Sequence, residues 1–91
     1  MRDIREQKVR AALAITLMRT RYAQGLNQEE LADKSELSRQ YISMVERQER
    51  SPNFLTLVKL CHGLGIDLLS FMVELTKEMN NDMGKNQATQ E

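Results

Sequence analysis

Tryptophan is absent from this 91-residue chain, cysteine and proline occur once each, glycine four times, and aromatic residues make up only 4%. Each shortage excludes something. The lone Cys61 permits no intramolecular disulfide and, beside a single histidine, no Cys/His metal site. A thiol of this kind fits a reducing compartment, so the cytoplasm is the expected location. With so few aromatics the core has to be aliphatic, helped by six Met. So few helix-breaking residues leave long uninterrupted stretches, which predicts an all-helical chain. No apolar run is long enough to span a bilayer, so no membrane contact is expected. The opening Met1-Arg2-Asp3-Ile4-Arg5-Glu6 lacks the apolar centre of a secretory signal. One His, one Cys and no Gly-rich phosphate loop supply neither acid–base chemistry nor an activated nucleophile. No enzyme, metal or cofactor is expected.

What is present is unevenly placed. Net charge is zero, which by itself argues against nucleic acid as a partner. Residues 1–21, however, carry six basic and two acidic side chains, a balance of +4. Residues 22–66 carry five and six, or −1, and residues 67–91 carry two and five, or −3. The basic groups sit at one end. A chain of this length makes one domain and buries little more than ~60% of its unfolded surface, so self-association would help it.

Local signals divide the chain into five helices. Residues 4–24 read as a long first helix with Val9, Leu13, Leu17 and Met18 as apolar points, ended by Gly25. Asn27 offers an N-cap and Gln28-Glu29-Glu30 places acid in the first turn of a short second helix, 28–35, with Leu31 and Ala32 inward. After a turn at Ser35-Glu36, Ser38 caps a third helix, 39–47, which buries Ile42 and Val45. Asn53 caps a fourth, 54–63, with Phe54, Leu57, Val58, Leu60 and Cys61 apolar, and Gly65 stops it. Asp67 caps a fifth that reaches Met79. Residues 80–91 are polar and aperiodic, which predicts a disordered tail behind a domain of residues 1–79. The expected fold is all-α, a compact five-helix domain with an extended first helix.

Residues 28–47 fit two short helices joined by a tight turn, the helix-turn-helix. The third helix reads Arg39-Gln40-Tyr41-Ile42-Ser43-Met44-Val45-Glu46-Arg47. Ile42 and Val45 share one side, while Arg39, Gln40, Ser43 and Met44 share another. Arg presents a fork that matches guanine O6 and N7, and Gln pairs bidentately with adenine N6 and N7. Met44 suits a thymine methyl. These residue types, at the start of a helix, suit reading base edges in double-stranded DNA.

The run Gly25-Leu26-Asn27-Gln28-Glu29-Glu30-Leu31-Ala32, then Ser38 to Arg47, Ser51-Pro52, Thr56-Leu57 and Leu64-Gly65-Ile66, resembles the lambda repressor–Cro type of helix-turn-helix, the XRE family. Ser38-Arg39-Gln40-Tyr41-Ile42-Ser43 is similar to small controller proteins of restriction–modification systems. The resemblance spans residues 21–72 and implies roles position by position. Arg39, Gln40, Ser43 and Met44 fall on base-facing positions. Gln28, with the caps Asn27 and Ser38, falls where phosphates approach helix N-termini, and Gln28 also buttresses the recognition helix. Tyr41, Arg47 and Arg50 fall on DNA-backbone positions, and Arg21 with Glu46 on a structural ion pair. The chain departs from the family at Gln48, where Gly is common at a left-handed position, at Thr20 and at Gly63.

Other features carry bland readings. Arg2, Arg5, Lys8 and Arg10 suit either a solvated face or a DNA or partner surface. Cys61 suits a small buried hydrophobe, and His62 a surface residue. In the fifth helix, Leu68, Phe71, Met72, Leu75 and Met79 follow the spacing of one apolar stripe, while Leu69 and Val73 fall off it. A second apolar face, Leu69, Met72 and Val73, predicts a two-fold homodimer that sets recognition helices roughly 34 Å apart on a pseudo-palindromic operator. The alternative, motivated by neutral charge and an acidic C-terminal quarter, is an antitoxin-like or phage-type regulator whose main role is to bind an additional protein partner.

Overall fold

Capping chemistry sets the helix borders of this protein. The computed structural model describes residues 4–90, with side chains described for residues 5–81. Five helices occur among them: α1 (Ile4–Ala23), α2 (Gln28–Ser35), α3 (Arg39–Glu46), α4 (Phe54–Leu64) and α5 (Leu68–Gln90). Asn27 Oδ1 accepts from the Glu30 amide at 2.7 Å and the Glu30 carboxylate accepts from the Asn27 amide at 2.9 Å, a reciprocal capping box. Ser38 Oγ accepts from the Tyr41 amide, Asn53 Oδ1 from Thr56 and Asp67 Oδ1 from Ser70. Each satisfies an N–H that the helix itself leaves unpaired. At the other ends α2 and α4 stop on left-handed residues, Glu36 at φ 60° and Gly65 at φ 71°.

The core joins all five helices. Leu17, Leu31, Ile42, Val45, Leu60, Leu64 and Phe71 are essentially without solvent contact. α1 lies between α5 and α3, and α2 between α4 and α3. Burial on more than one side explains why α1 has a weak apolar stripe. Its buried residues are Ala12, Leu13, Ala14, Thr16, Leu17 and Arg21, whereas Val9, one of its apolar points, is exposed. Phe54 and Val58, two of the apolar residues of α4, lie outside the core, Phe54 at 69% exposure. Gly63 has a packing cause. A Cβ there would lie 2.9 Å from the Ser35 Cβ, so its absence lets α4 cross α2 at close range. Ser35 in turn donates its buried hydroxyl to the Leu31 carbonyl at 2.7 Å.

On α5, Phe71 and Leu75 are buried, with Leu68 and Met79 packed against the core. Met72, assigned by its spacing to the core stripe, is exposed. The helical backbone runs to Gln90, beyond Met79, where the apolar periodicity stops and a disordered tail is expected. Glu91 and Arg2 lie outside the described residues, as do the side chains from Asp82 onward.

Candidate nucleic-acid interface

The exposed side of α3 is held in place from behind. Ile42 and Val45 anchor it in the core at 0% and 1% exposure, and its last residue, Glu46, is gripped by two other helices. Arg21 of α1 donates from Nε to Glu46 Oε2 at 2.7 Å and from Nη2 to Oε1 at 2.9 Å. Gln28, the first residue of α2, donates its amide nitrogen to the same Oε1 at 2.9 Å. Arg21 Nη1 closes the network on the Leu26 carbonyl at 3.0 Å, and its guanidinium lies 4.6 Å from the centre of the Tyr22 ring. Hydrogen bonding to Glu46 is the largest cause holding the guanidinium pKa above its ordinary value. Burial works against it, and the partner wins. One carboxylate thereby fixes α3 to α1 and α2.

With that scaffold in place, Arg39 and Gln40 stand exposed in the first turn of α3, where their tips are free of the core. Ser43 and Met44, one turn further, are half-buried. Ser43 is already engaged, since its Oγ accepts from Arg47 Nη1. Arg47 also donates from Nε and Nη2 to the Glu49 carboxylate, at 3.0 and 3.1 Å. Hydrogen bonding from Arg47 pulls the Glu49 carboxyl below its ordinary range. Tyr41 is half-buried against the core, with the Arg50 guanidinium 5.8 Å from its ring centre. Asn27 and Ser38 spend their side-chain oxygens on the caps. Gln48 has φ 67°, the left-handed geometry anticipated for that position.

Gln28 buttresses α3 by donating its amide nitrogen to Glu46, as the family resemblance implies. Two contacts carry no local signal in the sequence. Glu49 closes on Arg47. Arg19 donates to Glu78 at 2.6 Å and ties α1 to α5, a contact between residues too distant in sequence to be paired. Nearer the N-terminus, Arg10 pairs with Glu6 one turn away at 3.0 Å. Burial raises the Cys61 thiol to about 11. Among the described residues no group of three or more His, Cys, Asp or Glu is placed to hold a metal ion, and no single helix is long and apolar enough to cross a membrane. On α5, Leu69 is 75% exposed, and Val73 and Met72 join it outside the core.

Two helices of eight residues each, joined across residues 36–38 and backed by α1, make a helix-turn-helix. Residues 17–71 match the family described as Helix-turn-helix, and the chain belongs to its lambda repressor/Cro-type (XRE) branch of transcriptional regulators. It is 38% identical over 58 residues to an uncharacterized HTH-type transcriptional regulator, y4dJ, of Sinorhizobium fredii, a match spanning 64% of this chain and 75% of that one. The fold is similar to the restriction-modification controller protein C.Esp1396I, with TM-score 0.75, 32% identity, and coverage of 78% of this chain and 93% of that one. That controller has also been solved as a tetramer with its natural 35 base-pair operator. The clp gene regulator ClgR from Corynebacterium glutamicum is similar as well, with TM-score 0.80, 27% identity, and coverage of 90% and 87%.

Proposed function

We propose that this regulator binds double-stranded DNA as a homodimer at a pseudo-palindromic operator, with α3 in the major groove, and acts there as a repressor or dual regulator in the cytoplasm, at a bacterial or phage nucleoid. One observation carries the reading. Arg39 and Gln40 project from the first turn of a helix whose opposite side is locked by Ile42, Val45 and the Arg21–Glu46–Gln28 network. Arg39 and Gln40 read base edges, with Ser43 and Met44 beside them, because a fork and an amide match the donor–acceptor patterns of guanine and adenine. Arg47, Arg50 and Tyr41, with the helix starts at Asn27, Gln28 and Ser38, meet phosphates and set register without reading sequence. The operator complex of the similar controller protein supports this use of the fold.

Selection of bound sequences from a random duplex library tests the reading. Wild type should enrich a two-fold motif. Arg39→Ala should relax preference at one position of each half-site and weaken binding by about 1–3 kcal/mol. Recovery of an identical motif by both proteins would remove Arg39 from the readout. The exposed α5 face of Leu69, Met72 and Val73 is the dimer surface, so Leu69→Glu should lower the sedimentation coefficient toward that of a monomer. An unchanged value would clear α5 from the interface.

A further inference from the structure

Between Arg39 and Asn53 the exposed ionisable side chains are Arg39, Arg47, Glu49 and Arg50. Three of the four suit a polyanion. The fourth opposes it, and the structure shows where its charge goes. The guanidinium of Arg47 has its Nε–Nη2 edge filled by the Glu49 carboxylate at 3.0 and 3.1 Å, and its Nη1 donates to Ser43. That edge is one of the two a guanidinium offers for bidentate contact with a phosphate, and the bond to Ser43 engages a nitrogen of the other. The backbone sets up the pairing. Gln48, at φ 67°, turns the chain back, and the Glu49 amide donates to the Met44 carbonyl at 2.8 Å, so Glu49 is tied to the last turn of α3.

We propose that Glu49 competes with DNA phosphate for Arg47, and so sets how tightly and how salt-dependently this surface holds any duplex. The inference rests on the DNA-binding reading above and adds to it a residue that works against binding. A phosphate that takes the Nε–Nη2 edge of Arg47 has to displace the carboxylate, and wherever the phosphate binds on Arg47 the nearby negative charge repels it. Both side chains are 54% exposed, so exchange with solvent ions and phosphates is open to them. Since phosphate contact carries no sequence information, Glu49 weakens operator and unrelated duplex alike and leaves the preference set by Arg39 and Gln40 untouched.

The experiment measures binding of operator and unrelated duplex across a salt series, for wild type, Glu49→Gln, Arg47→Ala and the double variant. Glu49→Gln should tighten both duplexes roughly two- to fivefold at moderate salt. Its slope of log affinity against log salt should be steeper by up to ~0.9, the increment for one more neutralised phosphate. In the Arg47→Ala background most of that gain should vanish, because Glu49 then has nothing to withhold. An equal gain with and without Arg47 would mean that Glu49 acts only through the general field, and that overturns the proposal. So does an unchanged slope. If wild type holds neither duplex even at low salt, the DNA-binding reading fails and takes this one with it. If wild type binds and Glu49→Gln is indistinguishable from it, only the competition is lost.

Discussion

The chain makes the same two-pronged contact twice. Arg21 grips Glu46 through Nε and Nη2 with both side chains 6% exposed, and Arg47 grips Glu49 through the same two nitrogens with both 54% exposed. The chemistry is identical and the surroundings are opposite. Inside, water cannot replace either partner, so the pair behaves as a fixed joint between α1 and α3, with Gln28 of α2 as a third member. Outside, water and counterions compete for both ends, and the contact is exchangeable. On the proposed function the two have different uses: the buried joint holds α3 in place, and the exposed pair is the one that can exchange partners.

The largest expected effect tests the first half of that contrast. Arg21→Met should destabilise the fold by about 3–5 kcal/mol in denaturant titration, because it leaves the Glu46 carboxylate buried without its cation. Arg47→Met should leave the unfolding midpoint where it is in wild type. Comparable losses from the two would erase the distinction. The contrast sharpens with Arg21→Met combined with Glu46→Leu. Most of the lost stability should return, since two apolar groups need no partner. Affinity for DNA should not return with it, because Gln28 then has nothing on α3 to hold.

How much of this was legible beforehand follows from the range of each interaction. Caps at Asn27, Ser38, Asn53 and Asp67 bond to amides three residues on, so the sequence displays both partners together. Ile42 and Val45 were placed by a short, strong alternation between buried and polar positions. Arg21 and Glu46 lie 25 residues apart, and only likeness to a family paired them; nothing local could. The exposed joint was missed for the opposite reason. Arg47 and Glu49 are two residues apart, a spacing at which side chains on a helix do not meet, and it takes the left-handed Gln48 to bring them together. Phe54 and Val9 are exposed although apolar, because apolar spacing gives no sign of which helix face the rest of the fold leaves uncovered. Gly63 stands out in the sequence only as a departure from the family, and its use is visible only where α4 crosses Ser35.

A smaller effect is expected at the hinge of the exposed joint. Gln48 holds a left-handed backbone that a side chain disfavours, so Gln48→Gly should raise stability by about 0.5–1 kcal/mol. The gain appears in thermal or denaturant unfolding. The turn that carries Glu49 back to Arg47 should persist, because glycine adopts that φ readily. Loss of stability on this substitution would mean that Gln48 makes a contact worth more than the strain it relieves.

An effect confined to alkaline pH concerns the buried thiol of Cys61. Arg21 stays charged inside because Glu46 faces it; burial keeps the Cys61 thiol neutral, and its pKa rises from the ordinary 9.0 to about 11, chiefly by burial and then by the nearby Asp67 charge. In the unfolded chain the thiol loses its proton around pH 9, whereas in the folded protein it keeps it to about pH 11. Across that window the folded state binds the extra proton, so raising pH favours unfolding. The contribution is complete below pH 9, declines through the interval and is gone above the folded value. Lysine and tyrosine titrate nearby in pH, so the informative quantity is the difference between wild type and Cys61→Ala. That difference should move with pH only between about 9 and 11, in the direction that costs wild type stability. A difference flat with pH would show that solvent reaches the thiol and that this part of the core opens as readily as the surface joint does.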